Sequence, residues 1–127
     1  AIAAGYKPIY PVRGIIQCGG IEMNLDTLIP LALITNELLT NSFKYAFQKG
    51  VQTQPTCTIS LSGKVGSFVF VYSDNGSGIS NQDSVTKGLG STLVEGLSRQ
   101  LGGEAARMET DTGVCYKISF AGIRFHK

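Results

Sequence analysis

The chain has 127 residues, 43% hydrophobic and 16% charged, which is enough apolar material for one core and too short for a second domain. Eleven basic residues against nine acidic ones leave a net charge of +2 with no Lys/Arg run, so nothing marks a nucleic-acid or membrane-surface binder. No stretch reaches the ~18 apolar residues of a membrane-crossing helix, and the N-terminus lacks a basic segment followed by an apolar run. Ala1 stands where a start methionine would, which leads us to expect a segment excised from a longer protein, with any sensor or membrane region upstream. Cys18, Cys57 and Cys115 are far apart, with no CxxC pair and no histidine nearby, and so read as free thiols of a reducing compartment. The only histidine is His126, and glycine is over-represented at 16 residues.

In chain order, Val12 to Gln17 reads as a first strand. A turn at Cys18-Gly19-Gly20 leads to a second, half-buried strand through Ile21, Met23 and Leu25. Asp26 is placed to cap a helix whose first turn tolerates Pro30 and whose apolar positions Leu31, Ile34 and Leu38 continue through Tyr45 to Phe47, with Lys49-Gly50 as its stop. Alternation at Cys57, Ile59 and Leu61, a turn at residues 63–66 and the apolar run Ser67 to Ser73 predict a hairpin. Residues 74–88 are a polar, glycine-rich loop, after which Leu89, Leu93, Leu97 and Leu101 repeat every fourth residue in a second helix stopped by Gly102-Gly103. Two strands, Glu104 to Glu109 and Val114 to Phe120, turn at residues 111–113. The grouping predicts an α+β fold, a mixed and mostly antiparallel sheet with its helices packed on one face. One domain spans residues 1–127, with a core over about 12–120.

Three segments carry chemistry. Glu37, Asn41 and Lys44 fall within a narrow helix stripe, at about 0°, 40° and −20°. A carboxylate, an amide oxygen and an ammonium on one face suit a magnesium phosphate: the amide oxygen is a hard ligand, the lysine offsets phosphate charge, and the glutamate orients or deprotonates an attacking group. Asp74-Asn75-Gly76-Ser77-Gly78-Ile79 follows the apolar strand directly. There a carboxylate can accept from an exocyclic amine while glycines let the backbone approach a flat base. Lys87-Gly88-Leu89-Gly90-Ser91-Thr92 opens the second helix, where glycine-permitted turns aim free N–H groups at an anion. Neither a P-loop nor a GxGxxG dinucleotide fingerprint is present.

In this order the three segments resemble the GHKL ATPase superfamily of gyrase, heat-shock chaperone ATPases, mismatch-repair ATPases and histidine kinases. NELLTNSFKYAF (Asn36 to Phe47) resembles the N box. DNGSGI (Asp74 to Ile79) resembles the first glycine box, and GLGSTLVEGLSRQLGGE (Gly88 to Glu104) the second. KYAF after the N box and RQLGGE are similar to the catalytic domains of bacterial sensor histidine kinases, closest to an HWE-like branch whose members often read NELxTNAxKYAF. The resemblance implies the α/β sandwich of the Bergerat fold and ATP with Mg²⁺ as ligand.

Carried over by position, Asn41 is the implied Mg²⁺ ligand, Lys44 a phosphate contact and Tyr45 a neighbour of adenine. Glu37 takes the general-base position. Asp74 accepts the adenine amine, with Gly76, Gly78 and Ile79 shaping the base pocket. Residues 80–87 are the expected ATP lid, Lys87 included, and Gly88, Leu89, Gly90 and Ser91 the hinge and phosphate-binding turn. Relatives often carry Gly-Thr in the last hairpin, the threonine supporting the adenine-binding carboxylate; here the pair is Gly113-Val114, with Thr112 as a substitute by a register shift. No helix of the chain offers a phosphoacceptor histidine, and His126 sits in a terminal tail. The expected function is therefore the ATP-binding catalytic domain of a two-component sensor kinase. It would transfer the γ-phosphoryl group of Mg-ATP to a histidine on an upstream dimerisation domain and serve a response regulator indirectly. Such a domain is cytoplasmic, touches neither nucleic acid nor membrane, and binds nucleotide alone while autophosphorylating poorly. Two alternatives are an anti-sigma-factor serine kinase of the same fold, and a nucleotide-binding module without transfer activity.

Overall fold

A computed structural model describes residues 13–43, 55–64, 66–76, 84–110 and 113–123. Its elements run β1 (Arg13–Gln17), α1 (Leu25–Asn41), β2 (Thr56–Lys64), β3 (Ser67–Asp74), α2 (Ser84–Gln100), β4 (Gly103–Thr110) and β5 (Gly113–Phe120). The strands form one sheet in the order β1-β2-β3-β5-β4. Only the β1–β2 pair is parallel, and the other three are antiparallel. The mixed, mostly antiparallel sheet with two helices agrees with the α+β expectation.

The second expected strand is absent. Residues 21–24 have no regular structure, and β1 pairs through α1 with β2, Arg13 opposite Thr56 and Gln17 opposite Ser60. The alternation of Ile21 and Met23 has another cause, because both pack against the edge of the core without joining a ladder. The cap also moves. Asn24, not Asp26, accepts the Thr27 N–H at 2.9 Å, and Asp26 lies in the first turn, where the helix dipole favours an acid. The expected continuation of this helix through Lys44, Tyr45 and Phe47 lies outside the described residues.

Thr27, Leu31, Ile34 and Leu38 form the buried stripe of α1, with spacings of three and four that match the helical period. They meet Phe68, Phe70 and Tyr72 of β3 and Val114, Tyr116, Ile118 and Phe120 of β5, every second residue of each strand. Phe68 and Phe120 stack with ring centroids 5.3 Å apart. Among the described side chains of α2 the buried positions are Val94 and Ser98, followed by Leu101 just beyond its end, while Leu93 is 47% exposed. A repeat of exactly four drifts by about 40° per step on a 3.6-residue helix, so Leu93 has left the core-facing side that Leu101 holds.

The helix α2 starts at Ser84, three residues before the expected turn, so the backbone of Lys87, Gly88, Leu89, Gly90 and Ser91 is helical. The backbone therefore differs from the expected loop and turn: residues 84–87 are helical, and Gly88 and Gly90 lie inside the helix. Each such glycine costs a helix about 1 kcal/mol relative to alanine, so this is its weakly held end.

At the other end of α1 the chain is tied to the C-terminal segment. Asn24 donates to the Ile123 carbonyl at 2.8 Å, and the Ile123 N–H donates to Thr27 Oγ1 at 2.9 Å. Gly122 permits this return: it has φ +89 and donates to the Leu101 carbonyl at 2.8 Å.

Candidate functional site

Three element ends meet at one corner of the sheet: the C-terminal turn of α1, the last residue of β3 and the first residues of β5. Between them is a small solvent-open pocket, with Leu38, Val114 and Tyr116 as apolar lining and Asn41, Ser42, Tyr72 and Asp74 as polar lining. A wider groove of about 770 Å³ adjoins it and shares Asp74 and Val114. The carboxylate therefore stands where the two openings meet.

The period of β3 explains that position. Phe68, Phe70 and Tyr72 face the core in alternation, and Asp74 is the next residue in the same series. A carboxylate there needs partners, and among the described residues it has three. Gly76 N–H and Val114 N–H donate to Oδ1 at 3.1 and 3.3 Å, and Ser42 Oγ donates to Oδ2 at 2.7 Å. Since each carboxylate oxygen offers about two acceptor positions, Oδ1 is filled. Oδ2 keeps one acceptor position beyond its bonds to the described residues.

Behind the carboxylate the network runs inward. Ser42 Oγ and Tyr72 Oη are 2.6 Å apart, and Tyr72 Oη lies 3.2 Å from Cys57 Sγ. Burial pushes both the Cys57 thiol and the Tyr72 phenol above their ordinary ranges, so each keeps its proton. Close passage of β5 completes the corner. Gly113 has φ +137, and a Cβ there would fall 2.0 Å from the Asp74 carbonyl oxygen. Only glycine fits.

Asn75 is not a simple hairpin turn residue: its N–H donates to the Thr56 carbonyl at 3.2 Å, and its side chain accepts the Thr56 N–H at 2.7 Å. This pair fixes the chain leaving Asp74 against the start of β2.

Of the residues singled out in the sequence, the structure brings Asn41 and Asp74 into one pocket and puts Gly76 on the carboxylate. Glu37 is half-buried, one helical turn before Asn41, and is not among the pocket's lining residues. Lys44, Tyr45, Gly78, Ile79, Thr112 and His126 lie outside the described residues, and the side chains of Lys87, Leu89 and Ser91 are not described. The sequence reading missed Ser42, Tyr72 and Cys57. A signal existed for Ser42, which extends the buried stripe of α1 by four residues beyond Leu38 and so puts a hydroxyl at a core position. Tyr72 could be found as the residue two before Asp74 on the same strand face.

The family model described as histidine kinase-, DNA gyrase B- and HSP90-like ATPase matches residues 27–122, from the first turn of α1 to just past β5. The chain belongs to this ATPase family. Similar solved structures include the histidine kinase domain of the Erythrobacter litoralis EL346 blue-light activated histidine kinase, at 25% identity and a TM-score of 0.72 over 87% of this chain and 54% of that one. The Acinetobacter baumannii histidine kinase AdeS gives 14% and 0.65 over 89% and 55%. The cytoplasmic segment of histidine kinase QseC gives 17% and 0.59 over 88% and 62%. The last two are likenesses of fold, and the chain spans roughly half to three-fifths of the length of all three. No curated protein sequence matches the chain. As a member of an ATPase family the chain carries an ATP-binding fold, and the Asp74 pocket is its candidate site. No described helix is long and apolar enough to cross a membrane.

Proposed function

We propose that the chain is the catalytic domain of a sensor histidine kinase, which binds Mg-ATP at the Asp74 pocket and passes the γ-phosphoryl group to a histidine on another domain. The observation that carries the reading is Asp74 itself. Among the described residues it is a carboxylate held by three hydrogen bonds at the mouth of an apolar pocket, and its bonds to them leave Oδ2 one acceptor position for an exocyclic amine. Adenine presents that amine on a flat apolar ring, and Leu38, Val114 and Tyr116 offer apolar surface to receive it.

The donor set also fits magnesium. Asn41 supplies one hard oxygen at the pocket, and among the described residues no cluster of three or more His, Cys, Asp or Glu forms an all-protein cage. Mg²⁺ in phosphoryl-transfer sites is held in this sparse way, with phosphates and water completing its shell. When bound it neutralises phosphate charge. The protein's own part is positioning: Asp74 fixes the base, Asn41 faces the phosphate side, Glu37 lies on the same helix one turn earlier, and Lys44 is assigned to a phosphate. Lys87, Gly88, Leu89, Gly90 and Ser91 take the phosphate end, with Tyr45, Gly78 and Ile79 closing around the base. The domain works on the cytoplasmic side, with an upstream dimerisation and phosphoacceptor domain as its direct partner and a response regulator as the indirect one.

The test is phosphotransfer in the full-length protein that contains this chain. Incubation with γ-labelled ATP should give an acid-labile, base-stable phosphoryl group, as phosphohistidine does. An acid-stable product would assign a hydroxyl acceptor and overturn the reading.

A further inference from the structure

The proton count of the buried network gives it a direction. Ser42 has one hydroxyl proton and stands 2.7 Å from an Asp74 oxygen and 2.6 Å from the Tyr72 hydroxyl. An ionised carboxylate can only accept, so the serine proton goes to Asp74 and the serine oxygen accepts from Tyr72. The tyrosine hydroxyl is shared with Cys57, reaching Sγ as donor at 3.2 Å. Three polar side chains thus stand in line behind one carboxylate oxygen. All three are buried: Cys57 is 2% exposed, Tyr72 1% and Ser42 3%.

We propose that Ser42, backed by Tyr72 and Cys57, is the positioning group that sets the Asp74 carboxylate for an adenine amine. This rests on the adenine reading of the pocket and adds the residue that makes it selective. Two wall residues face the carboxylate from opposite sides, Val114 from β5 and Ser42 from the end of α1. Val114 still lends its N–H to Oδ1, but a valine side chain has nothing to give Oδ2. The hydroxyl on Oδ2 comes instead from the opposite wall, off the end of α1. With that proton in place Oδ2 has one acceptor position left and a fixed orientation. Without it the carboxylate keeps only its two bonds to Oδ1, and Oδ2 is aimed less firmly at an amine.

The experiment compares ADP with inosine diphosphate, which has the same sugar and phosphates but a ring carbonyl where adenine has its amine. Titration calorimetry on the whole chain is run with wild type, Ser42→Ala, Ser42→Thr, Tyr72→Phe and Asp74→Asn. The expected result for Ser42→Ala is a loss of about tenfold for ADP, the usual weight of one hydrogen bond to a charged group, with inosine diphosphate within about twofold of wild type. Ser42→Thr, which keeps the hydroxyl, should restore ADP binding. Tyr72→Phe, which keeps the ring, should move ADP binding the same way by less. Equal weakening of both nucleotides would assign Ser42 a merely structural part and overturn the proposal. So would unchanged ADP binding by Ser42→Ala while Asp74→Asn weakens it. Unchanged ADP binding by Asp74→Asn as well would remove the adenine site itself.

Discussion

The two ends of α1 are both fastened by side-chain hydrogen bonds to residues far away in sequence, yet the two fastenings differ in kind. At the N-terminal end, Asn24 and Thr27 bond to the backbone of Ile123 and to each other's turn. Each bond there joins a side chain to main chain, and the set closes on itself. At the C-terminal end, Ser42, Tyr72 and Asp74 bond side chain to side chain, and the last member keeps an acceptor position beside a pocket. Satisfied polar groups of the first sort hold a helix in place, whereas a network that ends on an incompletely used carboxylate is organised for something not yet bound. One helix thus carries an anchor at one end and a site at the other.

The comparison is most severely tested by Gly113→Val. A side chain at φ +137 is strained by about 1–3 kcal/mol before any contact is counted, and its Cβ would overlap the Asp74 carbonyl. The variant should lower the melting temperature and abolish nucleotide binding together. Normal binding in a folded Gly113→Val protein would show that the close approach of β5 to Asp74 is dispensable.

Next in size is Asn41→Ala, which removes the single hard oxygen assigned to the metal. ADP affinity measured with Mg²⁺ should fall by about tenfold, a loss near 1.4 kcal/mol, while affinity in EDTA stays within about twofold. Equal losses in both conditions would take the metal role from Asn41.

At the anchor end the signs reverse. Asn24→Ala should cost about 1 kcal/mol through loss of the cap, seen as a melting temperature lower by a few degrees, with ADP affinity unchanged. If Asn24→Ala weakened binding as much as it weakened the fold, the two ends of α1 would not be independent.

The smallest effect concerns pH. The thiol of Cys57 is raised from its ordinary 9.0, chiefly by burial, and the Tyr72 phenol is raised above its ordinary 10.0 for the same reason. The folded protein therefore holds these protons when the unfolded chain has released them, and stability falls as pH rises through 9 and then 10. Below pH 8 neither group contributes a slope. A denaturation series from pH 7 to 11 on wild type and on Cys57→Ala with Tyr72→Phe should show part of the alkaline loss disappear in the double variant.

Much of this corner was legible from residue order alone. Asp74 at the end of an apolar strand and Asn41 on a helix stripe meet in one pocket, as spacing and the family resemblance implied. The partners of Asp74 were not legible. Ser42 lies 32 residues away from it and Val114 lies 40 away, so only the pairing of β3 with β5 and the packing of α1 on the sheet bring them together. The parallel β1–β2 pair escaped for a related reason: Ile21 and Met23 alternate like a strand, but their apolar faces serve the core edge and leave the ladder to β2. The early start of α2 escaped because Gly88 and Gly90 read locally as a turn, while the helix they lie in is continuous from Ser84.

ADP binding to wild type and Asp74→Asn, measured by titration calorimetry, tests most directly whether Asp74 receives the base. Exchanging one acceptor oxygen for an amide donor should cost about 1.5–3 kcal/mol, a tenfold to hundredfold loss of affinity, in a protein that still folds. Equal affinity of the two proteins for ADP would contradict the central claim that Asp74 receives the base.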